Sequence, residues 1–191
     1  MATLYTHQAN NVRKTWILMV GFLAVVIGGG WIFSRVWGDP SILYIAVIFA
    51  VVMNFFSYWY SDKIVIKLTG AVPATAAEFP DFYNTVENLA ITAGLPMPKI
   101  YVIDDPAPNA FATGRDPKRA AVAATTGLLS SLNKAELEGV MAHELSHIGN
   151  RDMLLSSVVV VLVGFIAIIA NIFTRSMFWG GMGGGRRDNE Q

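Results

Sequence analysis

The sequence contains no cysteine, few charged residues and only three histidines. Charged side chains make up 15% of the 191 residues, and acidic and basic residues balance to a net charge of zero. Without cysteine there can be no disulfide, thiolate metal ligand or cysteine nucleophile, so any bound metal must be held by nitrogen and oxygen. The lack of a clustered basic excess argues against nucleic-acid binding. The hydrophobic content of 53% is typical of a membrane protein with a small polar domain.

The chain contains long apolar runs without charged residues. A membrane helix needs about 20 apolar residues, and three uncharged runs reach that length: between Lys14 and Arg35, between Asp39 and Asp62, and between Asp152 and Arg175. The first run could be taken for a secretory signal, but it is too long, and a second run follows at once. Residues 15–61 are therefore predicted to form a transmembrane hairpin, and residues 153–174 a third hydrophobic segment.

Basic residues near the ends of the runs predict the orientation in the membrane. Arg13 and Lys14 precede the first run, Lys63 and Lys67 follow the second, and the short loop between the runs has only Arg35. By the positive-inside rule, the amino terminus (1–14) and the region after residue 60 should lie in the cytoplasm. After the third run comes a glycine-rich, flexible tail at 175–191.

Residues 62–152 have the pattern of a small α/β domain. We expect a short strand at 64–68, a helix that starts near Pro80 and ends at Gly94, and a buried strand at 99–103. Strands at 110–113 and 120–125 should form a hairpin around the turn 114–119. An apolar turn, Leu128-Leu129, then leads to a further helix.

That helix carries the residues that indicate a chemistry, His143-Glu144-Leu-Ser-His147. Two histidines four residues apart lie on one face of a helix, so both imidazoles can reach one metal ion. Glu144 would stand beside the water bound to that metal, where a general base belongs. Zinc lowers the pKa of such a water to roughly 7. The implied reaction is peptide hydrolysis without a covalent enzyme intermediate.

The flanking residues predict the helix on which this spacing depends. Asn133 is a good N-cap with Glu136 three residues later, and Gly149 stands where a helix could end. A buried stripe should consist of Leu137, Val140, Met141, Leu145 and Ile148. The five-residue pattern also occurs by chance in proteins that bind no metal, and a catalytic zinc site needs at least one more protein ligand.

The strand before this helix is a candidate substrate-binding element. An extended peptide could pair with a free edge of the strand through main-chain hydrogen bonds, and the small side chains would let another backbone approach. The residues concerned are Ala121, Val122, Ala123 and Ala124. An ordinary core strand with small side chains for tight packing is the alternative.

Several segments together resemble the HtpX-type membrane zinc metalloproteases. They are two amino-terminal hydrophobic spans, Pro108-Asn-Ala-Phe-Ala-Thr-Gly114, Thr126-Gly-Leu-Leu129, and His143-Glu-Leu-Ser-His147-Ile-Gly-Asn-Arg-Asp152. The resemblance implies an α+β polytopic membrane protein with an amino-terminal transmembrane hairpin, a small zincin-like (gluzincin) domain at 62–152 and a third hydrophobic helix. It implies an endopeptidase of a bacterial inner or archaeal plasma membrane, with its active site facing the cytoplasm.

The resemblance also implies the site residues and partners. His143 and His147 match zinc ligands, Glu144 matches the catalytic glutamate, and one Zn²⁺ is expected per subunit. In the family the third ligand is a glutamate on a later helix, and neither His7 nor Glu190 is a suitable substitute for it. We therefore expect an amino-terminal fragment that lacks this ligand. The implied substrates are damaged or misfolded membrane proteins in stress quality control, with another membrane protease as a candidate partner besides the lipid bilayer.

Two other functions fit part of the sequence. A non-catalytic membrane scaffold, or inactive protease relative, could bind misfolded clients without cutting them, although Glu144 would then serve no purpose. Intramembrane proteolysis would place the motif inside a spanning helix. Charged residues around the motif argue against that placement: Lys134, Glu136, Glu138 and Arg151.

Overall fold

The computed structural model describes the backbone of residues 4–180 and the side chains of residues 8–168, 170–171 and 174–175. The predicted flexible tail at 175–191 is wrong for its first residues, because helix continues to Gly180, and residues 181–191 lie outside the described range. The helices are α1 (Leu4–Trp37), α2 (Ser41–Leu68), α3 (Pro80–Thr92), α4 (Thr126–Ser131), α5 (Lys134–Asn150) and α6 (Asp152–Gly180). The strands are β1 (Val72–Pro73), β2 (Lys99–Ile103), β3 (Ala110–Thr113) and β4 (Ala121–Thr125).

The first two helices form the expected apolar hairpin. By length and composition both could cross a membrane, and Gly30 of α1 lies directly against Ala46 of α2. Both helices extend beyond the predicted range of 15–61. The predicted strand at 64–68 is wrong, because α2 continues through it to Leu68. No glycine or proline interrupts the helix there, and the chain turns only at Gly70, whose φ of +66° suits glycine.

A four-stranded sheet in the order β1-β2-β4-β3 forms the centre of the domain. The predicted hairpin is confirmed, since β3 pairs antiparallel with β4, and β2 is the strand predicted at 99–103. β4 runs parallel to β2 on its other side, and all five of its residues are buried. The expectation that β4 has a free edge for a substrate is therefore wrong, because its local sequence could not show that two strands flank it. The edge strands of the sheet are β1 and β3.

Two helices cover the sheet and complete the core. The predicted helix at Pro80 is α3, which ends before Gly94 at a φ of +64°. Phe82, Val86 and Ala90 of α3 share one apolar cluster with the buried residues of α5 and with Ile100, Val102, Val122 and Ala124 of the sheet. The predicted apolar turn at 128–129 lies in α4, whose N-cap Thr125 accepts a hydrogen bond from the Leu128 N–H.

A sharp corner joins α5 to α6. Gly149 does not end α5 as predicted, because the helix continues to Asn150 and closes at Arg151 with a φ of 57°. The two helices meet at 89°. Side chains of α1 bond the last carbonyls of α5: Gln8 Nε2 lies 2.6 Å from the Gly149 oxygen, and Asn11 Nδ2 lies 3.1 Å from the Asn150 oxygen.

The third hydrophobic run is helical, as predicted, and packs against the hairpin. Leu154, Val158 and Leu162 of α6 form a second apolar cluster with Met19 of α1. By composition, α5 and the described part of α6 could count together as one bent span. That residues 153–174 cross a membrane by themselves stays a prediction.

We expect two glycine substitutions in helices to have opposite effects on stability. A Cβ at Gly127 in α4 would collide with the Pro106 backbone, whereas a Cβ at Gly139 in α5 meets nothing within 4 Å. Gly127→Ala should therefore lower the thermal midpoint by several degrees. Gly139→Ala should raise the thermal midpoint slightly, because alanine is more favourable than glycine in a helix by ~1 kcal/mol. Thermal unfolding in detergent measures both, and equal midpoints would contradict the packing of α4 on the 104–109 loop.

Candidate metal site

The start of α5 is built as its sequence predicts. Asn133 Oδ1 accepts hydrogen bonds from the backbone N–H groups of Ala135 at 3.0 Å and Glu136 at 3.1 Å. The Glu136 carboxylate accepts in return from the Asn133 N–H at 2.9 Å. This reciprocal cap stabilises the helix by about 1 kcal/mol and defines where its first turn begins.

The buried face of α5 then fixes the direction of the site residues. Leu137, Met141, Leu145 and Ile148 are all buried in the domain core, as predicted, and Val140 is half-buried beside them. His143 and His147 lie on the neighbouring face, where His143 is exposed and His147 is half-buried. Rotating the helix would expose the stripe, so packing holds both histidines at the surface of the domain.

The two imidazoles converge on one point. Their Nε2 atoms lie 3.2 Å apart, and the rings meet edge to face at an interplanar angle of 83°. Nitrogens bound to one tetrahedral zinc at about 2.0–2.1 Å are separated by about 3.3 to 3.4 Å. The observed separation and the choice of nitrogen atoms fit a shared metal ion.

Asp152 at the start of α6 orients the second histidine, a role that the sequence reasoning did not assign. Its Oδ2 lies 3.0 Å from His147 Nδ1. Because a carboxylate accepts hydrogen bonds, this contact favours the tautomer with the proton on Nδ1 and leaves the Nε2 lone pair free for a metal. The available signal was an acidic residue five positions after the second histidine, at the beginning of the next helix.

Glu144 lies between the histidines in sequence and turns toward the sheet. Burial raises the pKa of its carboxyl above the ordinary value. The neighbouring His147 and His143 and the backbone of Ala112 act in the opposite direction and favour the charged form. The result is a half-buried carboxyl that is more basic than a solvated one.

Ala112 belongs to the edge strand that borders the site. The Thr125 N–H donates a hydrogen bond to the Asn109 oxygen at 3.0 Å. This bond shows which residues of β3 direct their backbone groups toward β4 and which direct them away. In an antiparallel pair every second residue directs its backbone groups outward. From the register, Ala110 and Ala112 are the outward-facing residues of β3. The outer edge of β3 thus faces the side on which Glu144 lies.

The other residues named from the sequence are not brought to this site. Ala121, Val122, Ala123 and Ala124 are buried in the middle of the sheet, with partners on both sides. Within the described residues, no group of three histidine, aspartate or glutamate side chains could hold a metal. The His7 side chain and Glu190 lie outside the described residues.

Comparison with known proteins identifies the family to which the chain belongs. A sequence model described as "Peptidase family M48" matches residues 76–184, which is more than half of the chain. The chain therefore belongs to peptidase family M48. The resemblance to HtpX-type proteases that the motifs indicated is confirmed by the relatives.

Three of these relatives carry the name "Protease HtpX homolog". The protein of Caldanaerobacter subterraneus subsp. tengcongensis is 48% identical over 190 residues, which cover 97% of this chain and 62% of the relative. That of Thermoanaerobacter pseudethanolicus is 47% identical, with the same coverage. That of Methylibium petroleiphilum is 48% identical over 91% of this chain and 59% of its own. The chain thus spans about three-fifths of the length of these relatives.

Among solved structures, the crystal structure of S. mikatae Ste24p is similar at a TM-score of 0.45 and 22% sequence identity. The alignment covers 93% of this chain and 44% of that one.

Replacing Asp152 by asparagine tests its orienting role. The amide can still touch His147 but no longer favours the Nδ1–H tautomer, so zinc affinity should fall by about 10- to 100-fold. Zinc titration against a competing chelator measures the change. The matched control is Asp105→Asn, which changes an exposed loop carboxylate away from the imidazoles. Equal zinc affinity in the two variants would show that Asp152 does not act through His147.

Proposed function

We propose that this protein is a membrane-anchored zinc endopeptidase with Glu144 as its general base. The observation that carries the proposal is the convergence of His143 Nε2 and His147 Nε2 at 3.2 Å, beside a carboxylate of raised pKa, in a chain of peptidase family M48. Imidazole nitrogens and an open coordination position favour zinc over harder ions.

His143 and His147 would hold the zinc through Nε2. When bound, the ion supplies Lewis acidity toward the substrate carbonyl and lowers the pKa of water. We place the third protein ligand outside the described residues, as the family resemblance implies. One ion per subunit is expected.

Glu144 would carry the proton through the reaction. Its carboxylate takes a proton from the attacking water, whose oxygen forms the new bond to the peptide carbon. The same carboxyl then gives that proton to the leaving amine as the carbon–nitrogen bond breaks. Partial burial makes the group basic enough for the first step and acidic enough, once protonated, for the second. No bond between enzyme and substrate is required.

The edge of β3 is where we propose that substrate binds. The outward backbone groups of Ala110 and the outward carbonyl of Ala112 can pair with an extended peptide and place it across the face of α5 that carries the two histidines. Recognition through the main chain would impose little side-chain selection. That suits a protease whose substrates are unfolded segments of many different proteins.

We further propose that α1 and α2 anchor the domain on the cytoplasmic side of a bacterial inner or archaeal plasma membrane. Basic residues flank the outer ends of the hairpin. The exposed Lys134, Glu136 and Glu138 at the start of α5 support a position of that end of the helix in water. Misfolded or damaged membrane proteins are the substrates we propose, under conditions of stress.

The decisive pair of variants separates catalysis from metal binding. Glu144→Gln should leave the zinc content near one per chain and lower peptide cleavage at least 100-fold, since general base catalysis contributes about 10²–10⁴. His147→Ala should lose both the bound zinc and the cleavage activity. The measurement is zinc content together with cleavage of an unfolded protein, made on the product of the complete natural reading frame.

If Glu144→Gln cleaves as fast as the unaltered protein, Glu144 is not the base. If the unaltered protein binds unfolded clients but cuts none, the non-catalytic scaffold replaces the protease.

Ala110→Pro tests substrate binding at β3. Proline removes one outward N–H, and an edge strand tolerates this without loss of its pairing to β4. One lost main-chain hydrogen bond should lower kcat/KM by about tenfold, while zinc content and thermal midpoint stay unchanged. If Ala110→Pro cleaves at the original rate and still binds peptide, the substrate does not bind at the edge of β3.

A further inference from the structure

A second concave site lies away from α5, where α2 meets the turn of the β3–β4 hairpin. It is a cavity of about 370 Å³. Aromatic residues of α2 form one wall, and the opposite side carries basic residues of the domain. Neither the zinc chemistry nor the substrate edge uses it.

The wall formed by α2 is aromatic at one end and basic at the other. Phe55, Trp59 and Lys63 follow one another at intervals of four residues and share one face. Phe55 and Trp59 are about half exposed, at 51% and 49%, which in water would be costly for rings of this size. In a bilayer this face would contact acyl chains at Phe55 and reach the headgroup region at Lys63.

The domain side is held against this wall by Arg115. Its guanidinium lies 4.1 Å from the centre of the Trp59 ring, and its side chain is only 14% exposed. Asp116 binds Arg115 at 3.4 Å and Arg119 at 2.7 Å. Cation–π stacking and this shared carboxylate keep both guanidinium groups at the rim of the cavity.

Three lysines add positive charge that no carboxylate of the described residues neutralises by an ion pair. Lys63, Lys99 and Lys118 line the cavity and are exposed, and Asp62 is the one acidic residue of the lining. A smaller adjoining cavity adds Lys67. The site is therefore complementary to an anion with several acceptor oxygens.

We propose that this cavity binds the phosphate-bearing headgroup of an anionic phospholipid, taken from the bilayer in which α1 and α2 lie. The proposal rests on the membrane anchoring proposed above. Basic pockets at the cytoplasmic end of membrane helices suit such headgroups. A soluble phosphate would gain nothing from Phe55 and Trp59, whereas the acyl chains of a lipid would cover them.

A bound headgroup would connect α2 to the hairpin that contains the edge strand. The turn 114–119 joins β3 to β4, and its basic residues would touch the same ligand as Lys63 of α2. The lipid would thereby fix the substrate edge relative to the membrane surface. Lipid composition would then affect how substrate reaches the site, although the lipid makes no contact with α5.

The test compares lipid binding by matched lysine variants of the protein in detergent. Native mass spectrometry would measure the affinity for phosphatidylglycerol, with phosphatidylcholine as the neutral lipid and inorganic phosphate as the soluble competitor. Lys99→Gln and Lys118→Gln should each weaken phosphatidylglycerol binding about fivefold, the effect of ~1 kcal/mol per lysine near an anionic surface. Lys134→Gln, an exposed lysine at the start of α5, should change nothing.

The proposal is overturned if all three variants bind phosphatidylglycerol alike or if phosphatidylcholine binds equally well. Displacement of the lipid by millimolar phosphate would also overturn it, in favour of a soluble anion. Resistance of the protein to alkaline extraction from membranes checks the anchoring separately, and extraction would remove the basis of the proposal. None of these measurements involves zinc or peptide cleavage, so their failure is distinguishable from failure of the protease assignment.

Discussion

The burial of one stripe on α5 is the constraint on which the candidate site depends. Leu137, Met141, Leu145 and Ile148 occupy the core between α3 and the sheet, so the helix can take only one rotation about its axis. The capping box fixes the start of the helix, and with it the axial position of each residue. Two imidazoles then leave the same face with their Nε2 atoms together. The chemistry of the site thus follows from apolar packing that makes no contact with the proposed metal.

The remaining parts of the site come from the elements on either side of α5. The left-handed residue Arg151 turns the chain through a right angle and brings Asp152 to His147. α6 then continues into the apolar cluster with α1, and the buried hydroxyls of Thr113 and Ser157 meet at 2.8 Å between β3 and α6. The edge strand β3, the helix α5 and the apolar hairpin of α1 and α2 are therefore held as one packed unit. The basic cavity beside Trp59 provides a further connection between that hairpin and the β3–β4 turn.

Local signals predicted the elements well wherever one residue type governs the outcome. Asn133 and Glu136 predicted the cap of α5, Pro80 and Gly94 bounded α3, and the turn residues at 114–119 predicted the hairpin. The prediction failed where the outcome depends on distant partners. Nothing within Ala121–Thr125 shows that β2 will lie beside it, and Ile64–Leu68 alternates like a strand although it only extends α2. Asp152 was missed because its role appears only once the chain turns at Arg151.

Zinc K-edge X-ray absorption on the zinc-loaded protein tests the central claim most directly, because the imidazole scattering pattern counts the histidines on the metal. Two imidazole ligands at about 2.0–2.1 Å are the predicted result in the unaltered protein. A spectrum with one imidazole or none in the unaltered protein would contradict it, since the two Nε2 atoms that meet on α5 would then not share an ion.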